Sequence, residues 1–199
     1  MKMLTRVYAP VCLIMATAGS AHAQFYKLHN VDIGGGAIGQ FTTPLTTNNP
    51  TIVQGTNDTL GGMFTVREHP VSWAGVEFNY GYHRFSEYFN APTYQARTKT
   101  NAHEATVAYL FHPHMRKLQP FVSVGGGAID FIPSSGQNQW RWTGLVEAGL
   151  DIPTSNPHFG FRLQGRSLIY RAPNFKQPNL ASKSWVATNE PSLGVWYRF

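Results

Sequence analysis

Apolar and polar residues alternate with a period of two along most of this chain. The strongest alternation covers residues 74–83, 140–152, 159–166 and 191–199. Weaker alternation, rich in glycine at two places, covers residues 31–41, 60–67, 104–111 and 121–131. A period of two predicts a β-strand with one apolar face and one polar face. The pattern therefore predicts eight such strands.

The connections between these strands alternate in length. About 17 residues rich in Thr, Asn and Pro separate the first two strands, whereas only residues 69–72 separate the second from the third. The later connections are residues 86–98, 112–119, 132–138, 153–158 and 171–183. Long loops at one end and short turns at the other are typical of strands that cross a membrane up and down. The sequence predicts an all-β, eight-stranded antiparallel up-and-down transmembrane β-barrel, with both termini on the short-turn side.

The positions of the aromatic residues distinguish this barrel from a soluble, lipocalin-like barrel, whose strands would also alternate. Aromatic side chains on the apolar phase fall near strand ends, while Val, Leu, Ala and Gly occupy the middles. They include Tyr80, Tyr82, Tyr109, Phe111, Trp140, Trp142, Tyr197 and Phe199. Two aromatic belts around an aliphatic band are typical of a surface that faces lipid. We therefore expect the apolar rows to point outward.

The N-terminal segment predicts export. Lys2 and Arg6 precede an apolar run over residues 7–18, and Ala21 and Ala23 are small residues of the kind that signal peptidase accepts. We expect residues 1–23 to be a cleaved signal peptide and residues 24–199 to be one outer-membrane β-barrel domain. Cleavage would remove Cys12, the only cysteine. It would also lower the formal net charge from +6 to about +4, a scattered excess that does not indicate nucleic-acid binding.

Charged residues on the polar phase are expected to fill the interior. An eight-stranded barrel is narrow enough for side chains to fill it, and an isolated buried charge is costly. The predicted lumenal charge network comprises Glu77, Glu104, Arg141, Glu147, Arg162 and Arg166, with Arg67 as a further candidate. Pairing of strands across the turn at residues 153–158 would bring Glu147 close to Arg162 or Arg166. We expect this network to close the lumen; a thin ion path along the same groups is the alternative.

The last strand carries an alternating apolar row that ends on an aromatic residue: Leu193, Val195, Tyr197 and Phe199. With the strand count and the loop rhythm, this row resembles the small Gram-negative outer-membrane barrels of the OmpA transmembrane-domain, OmpX and opacity-protein type. The resemblance implies location in the Gram-negative outer membrane, contact with its lipid, and handling by periplasmic chaperones and the barrel-insertion machinery. It departs from OmpA in that no periplasmic domain is expected after the last strand.

Three further groups could carry chemistry. Residues 34–39 match a dinucleotide-binding glycine pattern, but an Asn/Thr-rich loop follows where that site needs a helix, so no cofactor is expected. His83, Ser86 and Glu87 could form a hydrolase trio like that of a PagL-type lipid A deacylase, but the compact His-x-Ser-Asn segment of that family is absent. His112 and His114, helped by His69, could bind a transition metal. Histidines beside a turn proline are commonly plain turn residues, so neither a metal nor an enzyme is expected.

Cations outnumber acids around the predicted outer loops. They are Arg84, Arg97, Lys99, Arg171, Lys176 and Lys183. A basic rim suits the phosphates of lipopolysaccharide. We expect a non-enzymatic surface protein that serves membrane integrity, adhesion or ligand contact through loops 42–58, 86–98 and 171–183. A narrow passive channel and a lipid A-modifying hydrolase are the alternatives.

Overall fold

The computed structural model describes residues 30–48, 51–90, 92, 95–113, 115, 118–175 and 184–199. The predicted signal peptide and the expected mature N-terminus at Gln24 lie outside these residues. Within them, the chain forms the strands β1 (Val31–Thr42), β2 (Leu45–Asn48), β3 (Thr51–Thr56), β4 (Thr59–Val71), β5 (Ala74–Asn90), β6 (Gln95–Phe111), β7 (Gln119–Pro133), β8 (Gln139–Pro153), β9 (Phe159–Arg171) and β10 (Trp185–Arg198). No helix in the described ranges has the length and apolarity needed to span a membrane.

Eight of the strands close into an antiparallel barrel. Each of β1, β4, β5, β6, β7, β8, β9 and β10 pairs with the next, and β10 pairs back to β1. Every one of these pairings is antiparallel, so the predicted up-and-down fold is confirmed. The short connections and both ends of the described barrel wall lie at the same end of the barrel.

The outer end of the barrel differs from the prediction, because residues expected to form loops there continue the β-sheet wall. β2 and β3 form a hairpin within the expected loop 42–58, and β3 pairs with the outer part of β5. The expected loop 86–98 is mostly strand, since β5 and β6 stay paired from Ser86↔Lys99 to Asn90↔Gln95. The sequence interpretation ended these strands where outward apolar residues stop, although the inward phase continues through Phe85, Glu87 and Phe89.

The two faces of the wall differ in chemistry as predicted. Apolar side chains on the outer face are open, with Leu193 62% exposed and Val107 and Leu163 each 53% exposed. Charged side chains on the inner face are closed off, with Arg67 and Glu77 both 0% exposed. A soluble ligand-binding barrel would bury the apolar rows instead. An apolar exterior around a charged interior is the arrangement of a membrane-spanning barrel.

Large inward side chains occupy space that glycines on the neighbouring strand leave free. The indole of Trp196 lies where a Cβ on Gly160 would stand, and the ring of Phe121 does the same at Gly149. Trp196 is 1% exposed and its indole N–H donates to the carbonyl oxygen of Phe161 at 3.2 Å. The interior is therefore filled by fitted side chains as well as by ions.

Candidate functional site

The inner half of the lumen, towards the short turns, is organised around one guanidinium. Arg67 on β4 lies 3.1 Å from a carboxylate oxygen of Asp151 and 3.4 Å from one of Glu147, and it also pairs with Glu77. Its guanidinium carbon lies 4.0 Å from the ring centre of Phe121. Since β4 and β8 are on opposite sides of the barrel, Arg67 spans the lumen. This layer closes the interior electrostatically and sterically.

A second ionic layer lies above the first. Arg166 on β9 pairs with Glu104 on β6 and, at 2.6 Å, with Glu190 on β10. The ring of His83 lies 3.1 Å from Glu104 and 3.5 Å from Glu190. Ligand atoms of His83 and the two glutamates lie within 4.8 Å of one another, a spacing that a metal ion could bridge. Arg166 already pairs with both carboxylates, so the four residues form an ion-pair network.

Five of the six residues predicted for the lumenal network point into these two layers, namely Glu77, Glu104, Glu147, Arg162 and Arg166. Arg141 does not join them, which corrects that part of the prediction. It lies near the outer end of β8, where its guanidinium donates to the carbonyl oxygen of Ala172 at 3.2 Å. Its distance from the carboxylates follows from its place six residues from Glu147 along an extended strand.

Glu147 lies next to one of the expected arginines but pairs with Arg67. The register places Glu147 opposite Arg166, as the turn predicts. The Arg166 side chain nevertheless reaches Glu104 and Glu190, while Arg162 pairs with Asp151 at 2.6 Å. Sequence reasoning missed four network residues: Asp32, His83, Asp151 and Glu190. All four sit on the inward phase of their strands. The predicted strands already contain Asp32, His83 and Asp151, so the alternation could have identified them, whereas Glu190 lies one residue before the last predicted strand.

An apolar cluster closes the outer end of the lumen. Its buried members include Phe85, Phe89, Phe131, Leu145, Leu168, Tyr170 and Phe175. Phe175, from the β9–β10 connection, has a φ of 47° and is 3% exposed. The side-chain oxygen of Gln139 accepts the backbone N–H groups of Asn174 and Phe175 at 2.9 and 3.0 Å. These bonds hold the phenyl ring over the mouth of the barrel.

The possible hydrolase trio is not assembled. His83 and Glu87 point into the lumen, whereas Ser86 lies on the opposite, outward phase of the same strand. Glu87 accepts a hydrogen bond from the Gln54 side chain at 2.7 Å. Ser86 and His83 therefore cannot form the hydrogen-bonded nucleophile–base pair that such a mechanism uses.

The predicted outer cations divide into two groups. Arg84, Arg97 and Lys99 share the outward face of the β5–β6 hairpin, directly beyond Tyr80 and Tyr82. Arg171 lies on the far wall, with its guanidinium 5.3 Å from the ring of Trp185. Lys176 and Lys183 are outside the described residues. The structure therefore brings three of the six cations onto one surface.

Two of the three histidines considered for metal binding meet at the short-turn end. Nδ1 of His69 lies 3.1 Å from Nε2 of His112, and Nε2 of His69 lies 3.0 Å from Asp32. His112 follows β6, outside the membrane-spanning part. Burial, reinforced by the neighbouring His69, lowers its pKa below the usual histidine range. His114 lies outside the described residues.

The four residues of the expected insertion signature all point outward. Leu193, Val195, Tyr197 and Phe199 are between 42% and 62% exposed. The rings of Tyr197 and Phe199 meet edge to face with centres 5.2 Å apart. They lie in the aromatic belt at the short-turn end, which agrees with a lipid-facing row.

Solved structures with similar folds are small outer-membrane barrels. The chain is similar to Neisserial surface protein A (NspA), with a TM-score of 0.61, 10% identity, and 85% of this chain and 97% of that one covered. It is similar to Ail of Yersinia pestis (TM-score 0.55, 14% identity, 86% and 99% covered) and to AlkL (TM-score 0.55, 16% identity, 87% and 92% covered). No protein-family model and no curated protein sequence matches the chain. The chain therefore has the fold of the small eight-stranded outer-membrane barrels.

Proposed function

We propose that this protein is a closed, non-enzymatic surface barrel of the Gram-negative outer membrane, which holds lipopolysaccharide against its outer rim. The observation that carries the proposal is the ladder of outward cations, Arg84, Lys99 and Arg97, on the β5–β6 hairpin. We call these three residues the basic ladder.

The position of the basic ladder, just beyond two exposed tyrosines, supports contact with the phosphates of an outer leaflet. Tyr80 and Tyr82 on the same face are 40% and 39% exposed and contact the ring of His103 on β6. Exposed aromatic residues of a membrane barrel lie at the lipid–water interface. The three cations follow on the same face, at the level where the phosphates of lipopolysaccharide would lie. Charge-assisted hydrogen bonds between guanidinium groups and phosphate are stronger than neutral ones.

The filled lumen favours a surface role over transport. Two ionic layers and an apolar cluster occupy successive levels of the described interior. A continuous water column has no space beside them, because an eight-stranded barrel is filled by its own side chains. The outer rim is therefore the surface on which we place the contact with lipopolysaccharide.

An enzymatic role has less support. The group of Ser86, His83 and Glu87 has its serine on the opposite face of the strand from the other two residues. Hydrolysis of lipid A would need a nucleophile and a base that share a face.

The test is calorimetric titration of lipopolysaccharide into the refolded, tag-free barrel in detergent. We expect the triple variant Arg84→Gln, Arg97→Gln, Lys99→Gln to bind lipopolysaccharide at least about tenfold more weakly, because three charge-assisted contacts are lost. Dephosphorylated lipopolysaccharide should bind the natural chain as weakly as the variant binds the intact ligand.

Arg171→Gln is the matched control, since it removes a cation from the far wall, where Trp185 holds it. It should leave binding within about twofold of the natural chain. Equal binding by the natural chain and the triple variant would refute the proposal. Release of fatty acid from lipopolysaccharide during the titration would instead establish the hydrolase.

A further inference from the structure

A cavity at the short-turn end of the barrel contains two facing imidazoles. It has a volume of about 290 Å³ and is lined by residues that include His69, His112, Met115, Gln119 and Arg198. Backbone hydrogen bonds fix both histidines, because the His69 N–H donates to Asn30 at 3.0 Å and the His112 N–H donates to Trp73 at 2.9 Å. The cavity lies on the opposite end of the barrel from the basic ladder, so the proposed function does not use it.

Asp32 determines which nitrogen of His69 carries the proton. Its carboxylate lies 3.0 Å from Nε2 of His69, and an ionised carboxylate only accepts hydrogen bonds. Nε2 is therefore the protonated nitrogen, and Nδ1 presents its lone pair to the cavity. Arg198 holds the carboxylate in place with two hydrogen bonds of 2.6 and 2.9 Å. A histidine that donates its second nitrogen to a carboxylate is the usual arrangement of a histidine that binds a metal.

The spacing of the two facing nitrogens also fits a metal. Nδ1 of His69 and Nε2 of His112 are 3.1 Å apart, with the ring planes at 78°. Two imidazole nitrogens on one tetrahedral zinc ion, each about 2.0–2.1 Å from it, stand roughly 3.3 Å apart. A movement of a few tenths of an ångström would admit the ion. Without a metal, the same distance corresponds to a hydrogen bond from one ring to the other.

We propose that His69 and His112 form a binding site for a divalent transition-metal ion of the zinc or copper class at the short-turn mouth of the barrel. Imidazole ligands select such ions over Mg²⁺ and Ca²⁺, which prefer oxygen. Water in the cavity would complete the coordination of the ion. Met115 or Gln119, which also line the cavity, could supply a further ligand. This inference departs from the sequence-based expectation that the protein holds no metal.

The experiment uses the refolded barrel without a polyhistidine tag, titrated separately with Zn²⁺, Cu²⁺ and Mg²⁺ in detergent. We expect one equivalent of Zn²⁺ or Cu²⁺ to bind, and Mg²⁺ not to compete. The electron paramagnetic resonance spectrum of the Cu²⁺ form should show coupling to two imidazole nitrogens. His69→Gln and His112→Gln should each weaken binding by about tenfold or more.

His158→Gln is the matched control, because His158 is an exposed histidine in another turn at the same end. It should bind the metal as the natural chain does. Far-ultraviolet circular dichroism and heat-dependent gel mobility show that each variant has folded. No metal uptake by the natural chain, or unchanged uptake by folded His69→Gln and His112→Gln, would overturn the proposal. Loss of uptake in His158→Gln would place the site elsewhere.

Discussion

Arg166 and Glu190 stand directly opposite each other on β9 and β10, and their side chains pair at 2.6 Å with neither exposed by more than 1%. Glu104 on β6 completes this contact from across the lumen. Removal of the cation would leave two buried carboxylates beside His83 without their guanidinium partner. We therefore predict that Arg166→Met lowers the free energy of unfolding by about 3–5 kcal/mol, measured by urea titration in lipid vesicles.

Arg141→Met is the control for this prediction, because Arg141 makes one hydrogen bond to a backbone carbonyl and no ion pair in the described interior. It should cost about 1 kcal/mol. Combining Arg166→Met with Glu104→Gln and Glu190→Gln should restore part of the stability, since no uncompensated charge then remains. If Arg141→Met is as damaging as Arg166→Met, the ion-pair layer does not dominate stability.

A second prediction concerns the space that Gly160 leaves for Trp196. A Cβ at residue 160 would overlap the indole and stand 2.7 Å from the carbonyl oxygen of Ile152. Gly160→Ala should therefore destabilise the barrel by about 1–3 kcal/mol in the same urea titration. Gly165 lies on the same strand, and a Cβ there meets nothing within 4 Å. Gly165→Ala should leave stability within about 0.5 kcal/mol; equal losses in both variants would contradict the packing argument.

The ion pairs and the packing in the lumen could be predicted from the sequence only in part. The period of two fixes which face each side chain takes, so the wall and the direction of most charges could be predicted. The same period places Trp196 on the inner phase, but its packing could not be predicted, because the space for the indole depends on Gly160 of the adjacent strand. The contacts of Arg67 with Glu147 and Asp151 could not be predicted either, since β4 and β8 are not neighbours and strand order alone does not give distances across the lumen.

The outer extension shows a different limit. The inward phase of β5 continues to Phe89, but the outward phase becomes polar after Tyr82. The sequence interpretation ended the strand where the outward face stops being apolar, whereas the strand continues through pairing with β3 and β6. Composition of the outer face marks the end of the bilayer rather than the end of the strand.

Because the lumen is closed, we predict that the barrel does not conduct ions. Planar bilayers containing the natural chain should show no conductance steps, because ion pairs and the apolar cluster occupy the described interior. The Arg162→Ala variant should also show no conductance steps, since Arg67 and Arg166 still bridge their carboxylates. Steps that occur with the natural chain and disappear in Arg162→Ala would establish an ion path along the network and reverse this conclusion.

Glu87 predicts a dependence of stability on pH. It lies in the outer part of β5, residues 84–90, which extends beyond the aromatic belt and outside the bilayer. Burial of its carboxyl group raises the pKa from 4.5 to about 7. The folded protein therefore holds a proton on this group between about pH 4.5 and 7 that the unfolded chain has lost. Stability from this group is fully present below about pH 4.5 and is lost as pH rises to about 7, by up to about 3 kcal/mol.

Glu87→Gln should abolish this part of the pH dependence and stabilise the protein most above pH 7. Urea titrations of both chains at several values between pH 4.5 and 8 measure the difference. Gln54 donates to Glu87 at 2.7 Å, so the variant keeps a hydrogen-bonding group at this position. Parallel curves for the two chains would show that Glu87 does not titrate in this range.

The final prediction separates recognition of Phe199 from its contact with lipid. Phe199→Ala should reduce the amount of folded barrel in the outer membrane of expressing cells, if the barrel-insertion machinery reads the row that ends there. Phe161→Ala removes a ring of similar exposure, 45% against 48%, from the same outward face. It should lower assembly much less. Heat-dependent gel mobility of isolated membranes measures the folded fraction. Both purified variants should refold equally well in detergent, since each loses the same apolar contact; if Phe199→Ala alone refolds poorly, the residue acts through stability and recognition is not needed.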